Sequence, residues 1–174
     1  MYSIKCKLSN LNKEKSTFSE SSTKILMTWA LYTTIINSVR GETFKKKRLR
    51  IALLLLAITR FGINEILATR VEDLYSLQDN EPWIEIRTRR LMIQKTEERL
   101  AIKDRSTDFD FLYQEKEPSD YIFTPTISAK SHVSRETLTR SINKHLNTVS
   151  HKSAFSQKLT SRSFKDWEEG DQAS

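Results

Sequence analysis

The chain has 174 residues, 37% of them hydrophobic and 29% charged, which bounds it to one domain, or one domain plus a tail, with a modest core under a heavily charged surface. Three glycines and three prolines exclude a sandwich or barrel built on many tight turns, so helices are expected to dominate. A net charge of +7 and a pI near 9.5 favour a polyanionic partner, and a single cysteine, Cys6, excludes a disulfide framework and a cysteine-based zinc site.

Residues 1–22 are rich in Ser, Lys, Asn and Glu and read as a poorly ordered arm. Thr23 is the expected cap of a first helix. In it Ile25, Leu26, Trp29, Tyr32, Ile35, Ile36 and Val39 recur at three- and four-residue steps, and Gly41 ends it. The basic cluster Lys45, Lys46, Lys47, Arg48 and Arg50 then runs into the apolar stretch Ile51 to Ile58. A helix apolar all round is a buried one, so this is the expected central helix, with its basic end projecting toward solvent or a phosphate backbone. That stretch is far short of the roughly 20 residues that span a bilayer. The N-terminus carries no charged-then-apolar signal peptide, and the expectation is a soluble, intracellular protein without a membrane partner.

A second helix is expected from Ile63, with Ile66 and Leu67 on the core side and Val71 to Leu74 as its exit turn. Trp83 to Ile86 and Leu91 to Ile93 form an expected hairpin whose turn is the basic Arg87, Thr88, Arg89 and Arg90. Thr96 is expected to cap one helix holding Leu100 and, less regularly, Phe109 and Leu112. Tyr121 to Phe123 is a short extended piece closed by Pro125. Ser134 caps a helix with Leu138, Ile142 and Leu146 at four-residue spacing, and from His151 the chain is polar, with an acidic tail placed at residues 166–174. The fold class expected is mainly α with a small β-hairpin, an α+β domain over residues 23–165. None of His132, His145 and His151 has metal-ligand spacing, and no Gly-rich phosphate loop or RNA-binding aromatic signature occurs.

The order of these elements resembles the catalytic domain of the tyrosine recombinases, the phage integrase family, over roughly residues 24–165. Arg48 to Leu67 looks like the family's first signature block, which runs Thr-Gly-Leu-Arg-Ile-x-Glu-Leu after a buried helix. Leu159-Thr-Ser-Arg-Ser-Phe-Lys165 looks like the second, Thr-x-His-x-Phe/Leu-Arg, and residues 134–146 are similar to the helix before it. The resemblance implies a mainly helical fold with a small sheet and double-stranded DNA as partner. It also implies DNA integration and recombination through a 3′-phosphotyrosine, without metal or cofactor. Two arginines would clamp the phosphate oxygens, a hairpin lysine would protonate the leaving oxygen, and a histidine would assist proton movement. Similarity to organelle-encoded members points to a plastid.

Matched residue by residue, the chain departs from that pattern. Gly62 stands where the first arginine belongs, as though it had exchanged places with Arg60. On a continuous helix Arg60 would be rotated by roughly 200° from the required side. Lys95 is the best match to the hairpin lysine, with Arg89 and Arg90 as neighbours. Arg162 replaces the histidine and Lys165 the second arginine: an arginine cannot shuttle protons near neutrality, and a lysine lacks the planar fork. Only nine of the 174 residues follow Lys165, and Tyr2, Tyr32, Tyr75, Tyr113 and Tyr121 all precede it, so the family's nucleophile is expected to be missing. Trp167 reads as incidental.

The expected function is therefore DNA binding by a truncated, degenerate recombinase domain impaired in strand cleavage. Lys45, Lys46, Lys47, Arg48, Arg50, Arg60, Arg87, Arg89 and Arg90 would supply phosphate contacts. A homo-oligomer, or a full-length recombinase supplying the tyrosine in trans, stays open. So do two other readings: a non-enzymatic basic nucleic-acid-binding protein, and a remnant reading frame without function.

Overall fold

The computed structural model describes residues 25–79, 81–86, 89–93, 95–153 and 158–167. The N-terminal arm, the expected Thr23 cap, Cys6, Arg87 and the tail from residue 168 lie outside them.

The domain is mainly helical with one two-stranded antiparallel sheet, and it is organised around a single buried helix. That helix, preceded by α1 (Trp29–Asn37), is α2 (Phe44–Thr59), where every residue from Leu49 to Thr59 is buried. With no polar face to give to water, α2 is surrounded by the other elements: α1, α3 (Ile63–Leu67), α5 (Thr96–Lys103), α6 (Ser106–Tyr113) and α7 (Arg135–Lys152) all touch it. Each fully buried leucine or isoleucine contributes roughly 1.5–3 kcal/mol, so the run Ile51 to Ile58 is the largest apolar term in the domain. A short helix, α4 (Tyr75–Gln78), follows the 3-10 turn Glu72–Leu74. Among the described residues no helix is long and apolar enough to cross a membrane.

Several elements depart from the sequence expectation, each for a tertiary reason. The first helix starts at Trp29, capped by the Thr28 side chain on Leu31 N–H at 3.1 Å, rather than after Thr23. Met27 is extended instead, because its N–H donates to Asp166 O at 2.8 Å and it bridges to Trp167. Trp167 is therefore not incidental. Its ring packs edge-on against Trp29 at 4.8 Å and lies 3.7 Å beneath the Arg60 guanidinium.

The single helix expected from Thr96 is two, α5 and α6, broken at Asp104–Arg105; Lys95 rather than Thr96 is the N-cap of α5. The break lets Ile102 from one and Phe109 and Leu112 from the other reach the core, while Leu100 is exposed. The hairpin is tighter than the apolar runs suggested: β1 (Trp83–Ile86) pairs with β2 (Arg89–Met92) in the register Ile86↔Arg89. Arg89 and Arg90 are thus strand residues, not turn residues. The α7 helix begins at its Ser134 cap as expected and buries Leu138, Ile142 and Leu146, but continues beyond His151.

Candidate functional site

The two segments that carry the family resemblance meet at one cavity of about 530 Å³. Its walls are the end of α2, the turn Phe61-Gly62-Ile63, one face of α7 and the segment from Thr160 to Lys165.

The turn is built by the end of α2. Thr59 Oγ1 donates to Leu55 O at 2.6 Å and accepts Phe61 N–H at 3.1 Å. Arg60 takes the left-handed conformation (φ 57°, ψ 20°) that closes many helices, and its N–H donates to Leu56 O. This reversal swings Gly62 into extended backbone (φ −78°, ψ 165°) as the N-cap of α3, where the Glu65 carboxylate accepts its N–H at 2.8 Å. The left-handed position thus carries arginine, and the glycine sits where any residue fits. A Cβ added at Gly62 would meet only Glu65 Oε2, at an ordinary 3.6 Å.

The second segment is held by α7. Ser150 Oγ accepts Leu159 N–H at 3.0 Å, and Asn143 Oδ1 accepts Ser161 N–H at 2.9 Å. The 3-10 turn Ser161–Lys165 buries Phe164 and leaves Arg162 and Lys165 exposed on the cavity. Gly62, Arg162 and Lys165 therefore line the same space.

Arg135, also exposed, joins them from the first turn of α7. Among the described residues lining the cavity there are three cations and no carboxylate. Glu65 lies just outside, paired with Arg89. The Gly62 N–H first, then Arg89 and Lys165, hold its carboxyl below the usual range.

The remaining sequence-predicted cations divide sharply. Lys45 and Lys46 are exposed. Lys47, Arg48 and Arg50, expected to project toward solvent or phosphate, are instead buried. Arg50 makes a two-pronged pair with Asp108, both bonds 2.7 Å, and donates to Gly41 O at 2.8 Å; Lys47 bonds Glu42 at 2.6 Å. Arg48 donates to Thr124 O at 2.5 Å, and burial lowers its pKa. Glu42 and Gly41 are near in sequence, whereas Asp108 and Thr124 come from distant parts of the chain.

Arg60 is also corrected as a phosphate contact. Its guanidinium bonds Ala57 O and covers Trp167, and burial lowers its pKa to about 10. Lys95 is exposed and does not line the cavity. In the hairpin, Arg89 stacks 4.5 Å from the ring of cavity-lining Phe61, while Arg90 lies over Trp83.

None of Tyr32, Tyr75, Tyr113 and Tyr121 lines the cavity. Burial pushes the Tyr32 and Tyr113 phenols up, away from nucleophilic use. Arg135, Thr139 and Asn143 were missed by sequence reasoning, although their four-residue spacing next to Leu138, Ile142 and Leu146 was there to be read as a polar stripe. Set against known protein families, curated proteins and solved structures, the chain matches none.

Proposed function

We propose that this chain is a degenerate tyrosine-recombinase-like domain that holds the phosphate backbone of double-stranded DNA in the Gly62–Lys165 cavity and is impaired in strand cleavage. The observation that carries the reading is the convergence of Gly62 with Arg162 and Lys165, 100 and 103 residues later in sequence, on one cavity with Arg135 and, among the described residues, no lining carboxylate. A concave site with three fixed cations suits a ligand that only accepts hydrogen bonds and carries negative charge, which a phosphodiester does.

Impairment follows from the same geometry. Position 62 has no side chain to clamp a phosphate oxygen, and Arg60 cannot stand in while its guanidinium is held by Ala57 O and Trp167. At position 162 there is no imidazole to take up and release a proton near neutrality. Organellar location and a recombinase partner belong to the same proposal and follow only from the family resemblance.

The test is duplex binding by the full chain across a salt series, on DNA of unrelated sequences. Affinity should fall steeply with salt, with a log–log slope of about −0.9 per phosphate contacted, and should vary little with sequence. Arg162→Ala with Lys165→Ala should reduce that slope by about two units. A flat salt dependence would overturn the reading.

A further inference from the structure

The cavity holds a donor that neither signature-like segment supplies. Arg135, Thr139 and Asn143 lie every four residues along α7, so they stack on one face, directly beside the buried stripe of Leu138, Ile142 and Leu146. The carboxamide of Asn143 has only one workable orientation. Its Oδ1 accepts Ser161 N–H at 2.9 Å, which the amino end of the group cannot do. Nδ2 and its two protons therefore occupy the other end of a planar group that lines the cavity.

Thr139, one turn earlier, reinforces the polar character of this wall. Its hydroxyl is buried without a hydrogen-bond partner. Four other helical threonines, Thr33, Thr34, Thr59 and Thr148, bond back to the carbonyl four residues earlier. An α7 face that lines a cationic cavity with an amide and an unsatisfied hydroxyl is built for a polar occupant, since buried polar groups are costly to leave unpaired.

Resting on the phosphate-cavity reading above, we infer that Asn143 is a direct neutral donor to a phosphate oxygen. The opposite end of the same amide holds the Ser161–Lys165 turn in place. One residue thereby ties the position of the exposed Arg162 and Lys165 to the position of the ligand oxygen, and partly replaces the grip that Gly62 lacks. An amide is a weaker donor than a guanidinium, but its two ends are fixed relative to each other, so little side-chain freedom is lost on binding.

The experiment uses the ¹⁵N-labelled full chain titrated with inorganic phosphate. The Asn143 side-chain NH₂ pair, assigned by its loss in Asn143→Asp, should shift saturably and in step with the backbone amides of residues 161–165. Aspartate keeps an oxygen for Ser161 N–H, so Asn143→Asp should keep its melting temperature. It should lose phosphate affinity about tenfold, as expected for one hydrogen bond to a charged group. That loss should persist at high salt, where long-range repulsion is screened. If residues 161–165 respond and the Asn143 NH₂ does not, the inference fails and the phosphate-cavity reading stands. If neither responds and duplex binding is absent, both fail.

Discussion

Two groups of cations in this domain carry the same charge and meet opposite fates. At the start of α2, Lys47, Arg48 and Arg50 are buried and engaged with Glu42, Asp108 and Thr124 O. At the cavity, Arg135, Arg162 and Lys165 are exposed on a wall with no carboxylate among its described lining residues. The first group is engaged in holding the fold together; the second lies at the surface of the cavity. The difference lies in where the acids are. Asp108, in the first turn of α6, is nearly fully buried and accepts from Arg50 while Lys47 and Arg105 each approach within 3.6 Å. A basic run in a sequence is thus no measure of a basic surface.

The sharpest way to break this comparison is Asp108→Ala, which strands buried Arg50 without its partner. Loss of one member of a buried pair costs about 3–5 kcal/mol, so denaturant unfolding should show the largest destabilisation of any variant considered. A change below about 1 kcal/mol would mean the α2 cluster is solvated and open to phosphate after all.

Trp167→Ala comes next, because Arg60 is the intermediate case of a cation committed to an aromatic ring. Removing the indole deletes its contacts with Trp29 and Arg60, and a loss of about 2 kcal/mol is expected in thermal melts. Arg60→Gly in that background should recover about 1 kcal/mol, since glycine takes the left-handed conformation without strain.

Substitutions on the cavity side should do little to stability. Arg162→Ala with Lys165→Ala should leave unfolding free energy within about 0.5 kcal/mol while weakening duplex binding. Gly62→Arg should be as well tolerated, because its backbone is extended and the nearest atom to a new Cβ is a Glu65 oxygen at 3.6 Å. It should also tighten phosphate binding. If either variant unfolds the domain, the division between structural and available cations is wrong.

The smallest effect concerns His145, whose Nε2 lies 3.0 Å from Ile35 O and 2.9 Å from Ser38 Oγ, tying α7 to α1. Burial, and then Lys46 and Lys152, lower its pKa against the opposing effect of Ile35 O. With the folded value below the unfolded one, the unfolded chain takes up the proton first. Stability is then complete above about pH 6.5 and declines as pH falls toward the lowered folded value. His145→Gln should flatten the decline in stability that sets in as pH falls below about 6.5.

Much of the fold was legible because apolar periodicity is a local property. The all-apolar run Ile51–Ile58 could only be a buried helix, and Ser134 with Leu138, Ile142 and Leu146 announced α7. The hairpin was legible in kind but not in register. Two apolar runs show that strands exist, whereas the pairing Ile86↔Arg89 is set between strands. The break between α5 and α6 was illegible for a similar reason, since Leu100 fits a helical stripe but Ile102 is the residue the core accepts.

Composition and pattern alone determined a helical domain with one hairpin, a central apolar helix and an excess of positive charge. Gly62, Arg162 and Lys165 were singled out only by the family resemblance, not by composition or periodicity. Which cations are buried and which are exposed was decided only in three dimensions, when Asp108, Glu42 and Thr124 closed on the α2 cluster and Trp167 covered Arg60. The polar stripe Arg135, Thr139 and Asn143 acquired meaning in the same way, when Ser161 docked against it. The physical reason is that charge is counted along the chain but screened and paired through space, and partners such as Asp108 and Thr124 lie dozens of residues from the cations they bind.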